Sequence, residues 1–186
     1  MFKAQIPVVI GFEGWDAAGK GGAIRRLTAA LDPLGFHVHP IAAPNVVEKQ
    51  FHYQWRFWTR LPQPGNIAIF DRTWYGRVMV ERIEGFAKPQ EWQRAYDEIK
   101  DMEAQWSEHG IAIAKFWLQI DKEEQLRRFN DRQNDPKSNG RLRTRIGVTV
   151  INGMPTKRQS TKCWCAPTPR MHRGPWLRAT INIMPA

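Results

Sequence analysis

The stretch "GFEGWDAAGKGG", residues 11–22, overlaps the apolar run "IPVVIGF" of residues 6–12 and leads into "KGGAIRRLTAALD", residues 20–32. A short apolar run that ends in a glycine-rich loop is typical of a buried parallel strand. The segment after the loop predicts a helix, because it repeats apolar residues at helical spacing: Ile24, Leu27 and Leu31. A G-x-x-x-x-G-K motif between a strand and a helix is the pattern of a phosphate-binding loop. The residues predicted to bind phosphate are Gly14, Ala17, Ala18, Gly19, Lys20 and Gly21.

The loop departs from the common pattern at one position. Such loops usually carry Ser or Thr directly after the lysine, and that hydroxyl holds Mg²⁺ against the phosphates, but here the residue is Gly21. Two carboxylates are placed to replace the hydroxyl: Asp16 lies inside the loop, and Asp71 ends the next apolar strand, "NIAIFD" of residues 66–71. Carboxylate oxygens are ligands that Mg²⁺ prefers. We therefore predict that Asp16 and Asp71 form the metal site.

Strand and helix patterns alternate along the rest of residues 1–136. The further strands are predicted in "FHVHPI", residues 36–41, and "IAIAKFWLQI", residues 111–120. Further helices are predicted over residues 89–110 and 121–132, the second with Asp121 and Glu124 at capping-box spacing. This order predicts an α/β fold of three α/β/α layers around a parallel sheet, with ligands at the carboxyl ends of the strands.

The charge distribution divides the chain. Residues 1–136 carry 18 Lys and Arg and 18 Asp and Glu, so the net charge of +10 belongs to residues 137–186, which hold 28 − 18 = 10 basic and 18 − 18 = 0 acidic residues. No helical or strand periodicity continues through this tail, and Pro and Gly interrupt it often. We predict a partial kinase domain over residues 1–136 and an atypical tail over residues 137–186.

Three segments together resemble the polyphosphate kinase type 2 family. They are "FEGWDAAGKGGAIRRL", "YQWRFWTRLPQPGNIAIFDRTWYGRVMVERIEGF" and "KFWLQIDKEEQLRRFNDR", and the resemblance covers residues 6–136. It implies a phosphate-loop kinase fold that is incomplete at its C-terminus, Mg²⁺ as cofactor, and transfer of the terminal phosphoryl group of inorganic polyphosphate to a nucleotide. The loop sequence is most similar to members that convert AMP to ADP.

The resemblance also implies roles for individual residues. Asp16 and Asp71 match the two metal-site acids, and they act in catalysis with Lys20 and Arg72. Nucleotide binding is assigned to Arg72, Tyr75 and Arg77. A polyanionic chain also needs a basic channel, for which the resemblance and the charges suggest Arg77, Arg82, Arg128 and Arg132. Lys49, Arg56, Arg60 and Arg127 are further candidates. Each of these four, and likewise Arg128 and Arg132, is when taken alone better explained as a solvated surface charge.

The tail lacks the basic lid and the final strand that the family carries. Back-translation of "KSNGRLRTRIGVTVING", residues 137–153, allows codons whose neighbouring frame encodes E-Q-W-K-I-T-D-E-D-W-R-N-R-D-K-W, which has the lid pattern. We predict that the reading frame changes near Pro136 and that the tail is out of frame and disordered. The alternative is a basic arm that binds nucleic acid or polyphosphate.

Other functions stay open at this point. The acceptor is ADP or GDP in other members of the family, ATP replaces polyphosphate in other phosphate-loop kinases, and an inactive remnant would bind polyanions without turnover. We expect a cytoplasmic protein, because the apolar runs are too short to span a bilayer and the first residues lack a secretory signal. The expected partners are polyphosphate and a nucleotide, without nucleic acid or membrane, and the sequence is compatible with a homo-oligomer.

Overall fold

Four parallel strands form one sheet in the order β2-β3-β1-β4. The computed structural model describes residues 5–134, and for residues 133 and 134 the backbone alone. The strands are β1 (Val8–Gly14), β2 (Phe36–Pro40), β3 (Ile67–Asp71) and β4 (Ala112–Leu118). The helices are α1 (Lys20–Thr28), α2 (Trp55–Trp58), α3 (Val80–Ile83), α4 (Pro89–Glu108) and α5 (Lys122–Asn134).

Helices cover both faces of the sheet. All seven residues of β1 are buried, because the strand has neighbours on both sides and packed side chains above and below. Val9 packs in a core with residues of α4, including Ile99 and Trp106. Val8 and Ile10 belong to a second core with Ile24 of α1 and Phe129 of α5. The two cores lie on opposite faces, since successive side chains of a strand alternate. The predicted three-layer α/β/α fold with a parallel sheet is confirmed.

The sequence located the long elements well and missed the short ones. The predicted capping of α5 is confirmed: the Asp121 carboxylate accepts the N–H of Glu124 at 2.8 Å. The helix predicted over residues 20–32 ends earlier, at Thr28, and tighter turns follow it before Asp32 caps a 3-10 turn over Pro33–Gly35. The four-residue helices α2 and α3 were not predicted, because one turn is too short to show a period.

The carboxyl ends of the strands lie side by side. Phe12 and Asp71 are register partners in β1 and β3, and the N–H of Arg72 donates to the Phe12 carbonyl at 3.0 Å. The N–H of Trp15 donates to the Leu118 carbonyl at the end of β4, at 3.2 Å. The glycine-rich loop and Asp71 therefore meet at one edge of the sheet, as a ligand site in an open α/β fold requires.

One prediction falls wholly outside the described residues, and another does so at its ends. The basic tail of residues 137–186, with its proposed change of frame, lies there, and so does the end of the partial kinase domain of residues 1–136. Within residues 5–134, no helix combines the length and the apolar character needed to cross a membrane.

Candidate phosphate-binding site

The loop backbone depends on its glycines. Gly14 has a φ of 134°, and a Cβ atom there would lie 2.1 Å from the Leu118 carbonyl oxygen. Gly19, directly before α1, has a φ of 93°. Ala17 also takes a positive φ, of 63°, which is uncommon for a residue with a side chain. This strained turn presents the first N–H groups of α1 at the sheet edge, as in anion sites at helix N-termini.

Lys20 lies over the loop rather than in solvent. Its Nζ donates to the Gly14 carbonyl at 2.9 Å and to the Trp15 carbonyl at 3.0 Å. Burial lowers the pKa of the Lys20 ammonium, and the charge of Arg72 lowers it further. The negative charges of Glu13, Asp16 and Asp71 oppose that shift in pKa. The structure thus gathers the predicted catalytic residues into one electrostatic group: Asp16, Lys20, Asp71 and Arg72.

The two predicted metal ligands follow adjacent strands: Asp16 lies in the loop after β1, and Asp71 ends β3. Asp16 is half-buried, and its Oδ1 accepts the N–H of Ala17 at 3.2 Å. Asp71 is half-buried at the end of β3. Within residues 5–134 no group of three or more His, Cys, Asp or Glu side chains is arranged to hold a metal. Two carboxylates suit Mg²⁺, which takes few protein ligands and completes its shell with water and substrate phosphates.

Glu13 is a site residue that we did not predict. Its side chain is buried at the end of β1, where Oε2 accepts the backbone N–H of Thr73 at 3.0 Å and the Thr73 hydroxyl at 3.1 Å. Burial raises the pKa of the Glu13 carboxyl, against the charge of Lys20 and the Thr73 hydrogen bonds. The signal was present in the sequence, because an acid that directly follows the apolar run of a central strand is expected to be buried and then needs a specific partner.

Helix α5 contacts the phosphate loop through two side chains. Arg128, a predicted polyphosphate-binding residue, donates to the Ala17 carbonyl at 3.1 Å and to the Glu124 carboxylate at 2.5 Å. Gln125, which was not predicted, is buried and donates to the Asp16 carbonyl at 3.0 Å. Sequence spacing alone cannot show this contact, because more than a hundred residues separate the partners.

The other predicted residues have separate contacts. Tyr75 is 3% exposed, and its hydroxyl donates to the buried Glu103 carboxylate at 3.0 Å. Arg77 pairs with Glu81 at 2.9 Å and lies over the ring of Tyr53, while Arg82 lies over the ring of Trp92. Arg132 is exposed on α5. The roles of these four residues in binding stay predictions.

The additional channel candidates are mostly paired. Arg56 and Arg60 share the buried Glu48 carboxylate, at 3.3 and 2.8 Å. Arg127 pairs with Glu124 and Asp131, and Lys49 is exposed. In α2, Phe57 serves packing: it is 3% exposed in the core beside Phe70 and Trp74.

Similarity to known proteins agrees with this architecture. Residues 1–145 match the model of the family "Polyphosphate kinase 2 (PPK2)". A polyphosphate:AMP phosphotransferase of Pseudomonas aeruginosa is 58% identical over 132 residues, which are 71% of this chain and 27% of that protein. A GDP-polyphosphate phosphotransferase of Mycobacterium tuberculosis is 42% identical over 130 residues, 69% of this chain and 44% of that protein.

Solved structures support the same relationship. The crystal structure of polyphosphate kinase 2 from Arthrobacter aurescens superposes with a TM-score of 0.69 at 34% identity, covering 72% of this chain and 47% of that one. The chain spans about a quarter of the length of the curated polyphosphate:AMP phosphotransferases that it matches. Because the family model covers 145 of 186 residues and the sheet carries the phosphate loop in its expected place, the chain belongs to the polyphosphate kinase 2 family.

Proposed function

We propose that the protein transfers the terminal phosphoryl group of inorganic polyphosphate to AMP, giving ADP. The observation that carries the proposal is the group formed by Lys20, Asp16, Asp71 and Arg72 around the loop at the carboxyl edge of the sheet. The choice of AMP rests on similarity: identity is 58% to a polyphosphate:AMP phosphotransferase and 42% to a GDP-polyphosphate phosphotransferase.

The site residues supply positioning and charge, which are the main needs of phosphoryl transfer. The loop N–H groups and the N-terminus of α1 hold one phosphate group of the donor. Lys20 exchanges its bonds with the Gly14 and Trp15 carbonyls for bonds to phosphate oxygens, and Arg72 neutralises charge on the transferred group. Asp16 and Asp71 would hold Mg²⁺, which neutralises charge on the phosphates when bound.

The arginines outside the loop extend this field along the donor chain. Arg128 reaches the loop at Ala17, so in the proposal it contacts phosphates next to the reacting one. Arg77, Arg82 and Arg132 contact more distant phosphates, and Arg72 and Arg77 contact the nucleotide. Tyr75 supports nucleotide binding from the core, because it is 3% exposed and its hydroxyl is bonded to Glu103.

The test is ADP formation from AMP, polyphosphate and Mg²⁺ by the purified chain. ATP tested in place of polyphosphate distinguishes another kinase, and GDP tested in place of AMP distinguishes the other acceptor. Asp16→Asn and Asp71→Asn should each lower Mg²⁺-dependent turnover by about a hundredfold or more, because each removes charge from the metal site. Rates near those of the wild type in both variants would contradict the metal assignment, provided that thermal unfolding shows both to be folded.

We also propose that residues 1–136 form the partial kinase domain and that the frame changes near Pro136. Sequencing the gene across codons 135–140 tests this directly. A restored frame should encode the lid pattern without an early stop codon, and it should raise polyphosphate-dependent activity. A confirmed gene sequence whose other frame soon meets a stop codon would refute the change of frame and leave the basic tail as a feature of the protein.

A further inference from the structure

We propose that Glu13 is a positioning residue that fixes the phosphate loop against the Asp71–Arg72 segment. The inference rests on the proposed function, because it assigns Glu13 a role in that same phosphoryl transfer. In this role Glu13 contacts neither substrate nor metal. It sets the geometry in which a phosphate on the loop meets the side chains that follow β3.

The contacts of Glu13 join the two motifs directly. One carboxylate oxygen, Oε2, accepts both polar hydrogens of Thr73, from the backbone N–H at 3.0 Å and from the hydroxyl at 3.1 Å. The other oxygen, Oε1, lies 3.4 Å from the N–H of Gly14, the first residue of the phosphate loop. A single side chain therefore links the start of the loop to the segment that carries Asp71 and Arg72.

The segment that Glu13 holds is strained at its centre. Arg72 is not a glycine, yet its φ is 70°, in the left-handed region. Such a conformation persists only where the surroundings fix it. Here the Arg72 N–H is bound to the Phe12 carbonyl, and the next residue, Thr73, is bound to Glu13. Glu13 thus sets the direction in which the Arg72 side chain leaves the sheet.

Packing around Thr73 leaves little room for another arrangement. A Cβ atom on Gly11 would lie 2.9 Å from the Thr73 Cγ2, so this methyl group sits against the bare backbone of β1. The Thr73 hydroxyl also accepts the N–H of Tyr75 at 3.3 Å and so begins the 3-10 turn over Trp74–Arg77. Both ends of the Glu13–Thr73 contact are therefore fixed by the fold, and the contact can transmit position.

A buried acid would not be retained for stability alone. Burial disfavours the charged Glu13 carboxylate, and Lys20 and Arg72, the two cations nearby, belong to the site. An apolar residue at this position would avoid the cost of burying a charge, but it would leave the Thr73 N–H without its acceptor. The carboxylate satisfies the Thr73 donors and adds a negative charge behind the loop lysine.

The kinetic test uses Glu13→Gln, Thr73→Val and Thr73→Ser. Glu13→Gln keeps one acceptor oxygen but removes the negative charge, so the hydrogen bonds from Thr73 are weakened. The kcat should therefore fall about tenfold or more, while KM for AMP stays within about twofold. Thr73→Val keeps the methyl group beside Gly11 and loses the hydroxyl, and should lower kcat in the same way. Thr73→Ser keeps the hydroxyl and should restore most of the rate.

A matched control separates positioning from general loss of stability. Glu98→Gln also removes a carboxylate from ion pairs, those with His52 and Arg94, on α4 and away from the loop. We expect kcat of this variant to stay near the wild-type value. An equal loss of kcat in Glu98→Gln, or a rise in KM without a change in kcat in Glu13→Gln, would overturn the proposal.

A second measurement needs no turnover. In the wild type, Mg²⁺ with tripolyphosphate should slow amide hydrogen exchange in peptides that cover residues 14–20 and in peptides that cover residues 71–75. In Glu13→Gln, the slowing should persist in the loop peptides and be lost in the others. Slowing in both segments of the variant would refute the coupling, and no slowing in the wild type would refute the coupling and the loop site together. If the wild type makes no ADP but shows slowed exchange in both segments, and Glu13→Gln loses it in residues 71–75, the proposed function is refuted and the role of Glu13 stands.

Discussion

Gly21 shows how one residue can change the metal chemistry of a phosphate loop. The position is exposed on the first turn of α1, and a Cβ atom there would meet nothing within 4 Å among the described residues. Space therefore does not explain the missing hydroxyl. The loop places a carboxylate, Asp16, five residues earlier, and its charge acts on Lys20 together with that of Asp71. The hydroxyl is dispensable if these two acids hold Mg²⁺.

This explanation predicts a rescue. Gly21→Ser should leave the fold unchanged and change the free energy of unfolding by only about 0.5 kcal/mol, because serine is a somewhat better helix residue than glycine. In the Asp16→Asn background, the added hydroxyl should recover part of the lost Mg²⁺-dependent ADP formation. Initial rates over a range of Mg²⁺ concentrations measure this recovery. A double variant no more active than Asp16→Asn at any Mg²⁺ concentration would show that the hydroxyl and Asp16 are not equivalent.

Among the elements, the β1–loop–α1 unit is specified by glycines that serve different purposes. Gly14 is required by a close approach, because the Leu118 carbonyl leaves no space for a Cβ atom. Gly19 is required by its φ of 93°, which residues with a side chain rarely adopt. Space is not the reason, because the nearest atom to a Cβ there would be 3.7 Å away, on the Arg128 side chain. Gly22 is required by neither reason: it lies within α1, and a Cβ atom would meet nothing within 4 Å in the part of the chain that the structure describes.

A series of alanine variants tests this distinction. Gly14→Ala should prevent normal folding or lower the free energy of unfolding by more than about 4 kcal/mol, because the clash is with backbone. Gly19→Ala should cost about 1–3 kcal/mol through backbone strain alone. Gly22→Ala should stabilise the protein by about 0.5–1 kcal/mol through helix propensity. Urea unfolding followed by circular dichroism measures all three, and equal effects at positions 14 and 22 would contradict the explanation.

Helix α5 depends on a charge arrangement at its first turns. The Glu124 carboxylate accepts two hydrogen bonds from Arg127, both at 2.7 Å, and one from Arg128 at 2.5 Å. These bonds, those of Arg127 first, lower the pKa of Glu124 to about 2. A lowered pKa in the folded state means that the carboxylate stabilises the fold above its ordinary pKa and loses this effect as the pH falls.

The comparison of wild type with Glu124→Gln tests the sign of this effect. We expect the wild type to be the more stable protein at neutral pH. The difference in free energy of unfolding should shrink as the pH falls from about 4.5, the ordinary value for the carboxyl, towards about 2. Urea titrations at a series of pH values measure the difference, and a difference that stays constant or grows on acidification would contradict the assignment.

At the scale of the whole molecule, the core beneath α4 contains an ion pair between buried Glu103 and partly buried Lys115. The Glu103 carboxylate on α4 accepts hydrogen bonds from the Lys115 ammonium at 2.9 Å, from the Trp74 indole N–H at 3.0 Å and from the Tyr75 hydroxyl at 3.0 Å. These contacts join α4, β4 and the turn after β3. Lys115 stands opposite Gly11 in the β1–β4 register, so the pair also lies beside the central strand.

Loss of this carboxylate should affect the fold broadly. Glu103→Ala removes the acceptor of a partly buried cation and of two buried aromatic donors, and we expect it to lower the free energy of unfolding by about 3 kcal/mol. Glu108→Ala, at the exposed end of the same helix, is the matched control and should change it by less than about 0.5 kcal/mol. Similar small effects in both variants, measured by urea unfolding, would show that the Glu103 network contributes little.

Local patterns were enough to predict the architecture. Apolar periodicity and the residues that begin or end helices were enough to predict most elements, because these signals depend on neighbours in the chain. The elements predicted in this way are β1, the loop, α1, β3, α4, β4 and the Asp121 cap. The sheet order was not predicted, since pairing depends on which strands bury their faces together. The four-residue α2 and α3 were also missed, because one helical turn is too short to show a period in the sequence.

The sequence by itself determined the phosphate loop, its place between strand and helix, and the presence of two acids and a lysine near the ends of β1 and β3. These features follow from spacing along one or two elements. Only the tertiary structure decided that Glu13 holds Thr73, that Arg128 and Gln125 of α5 reach the loop, and that the Tyr75 hydroxyl is bonded in the core. The physical reason is that a buried polar side chain takes the partner that folding brings to it, and these partners lie between 28 and 111 residues away.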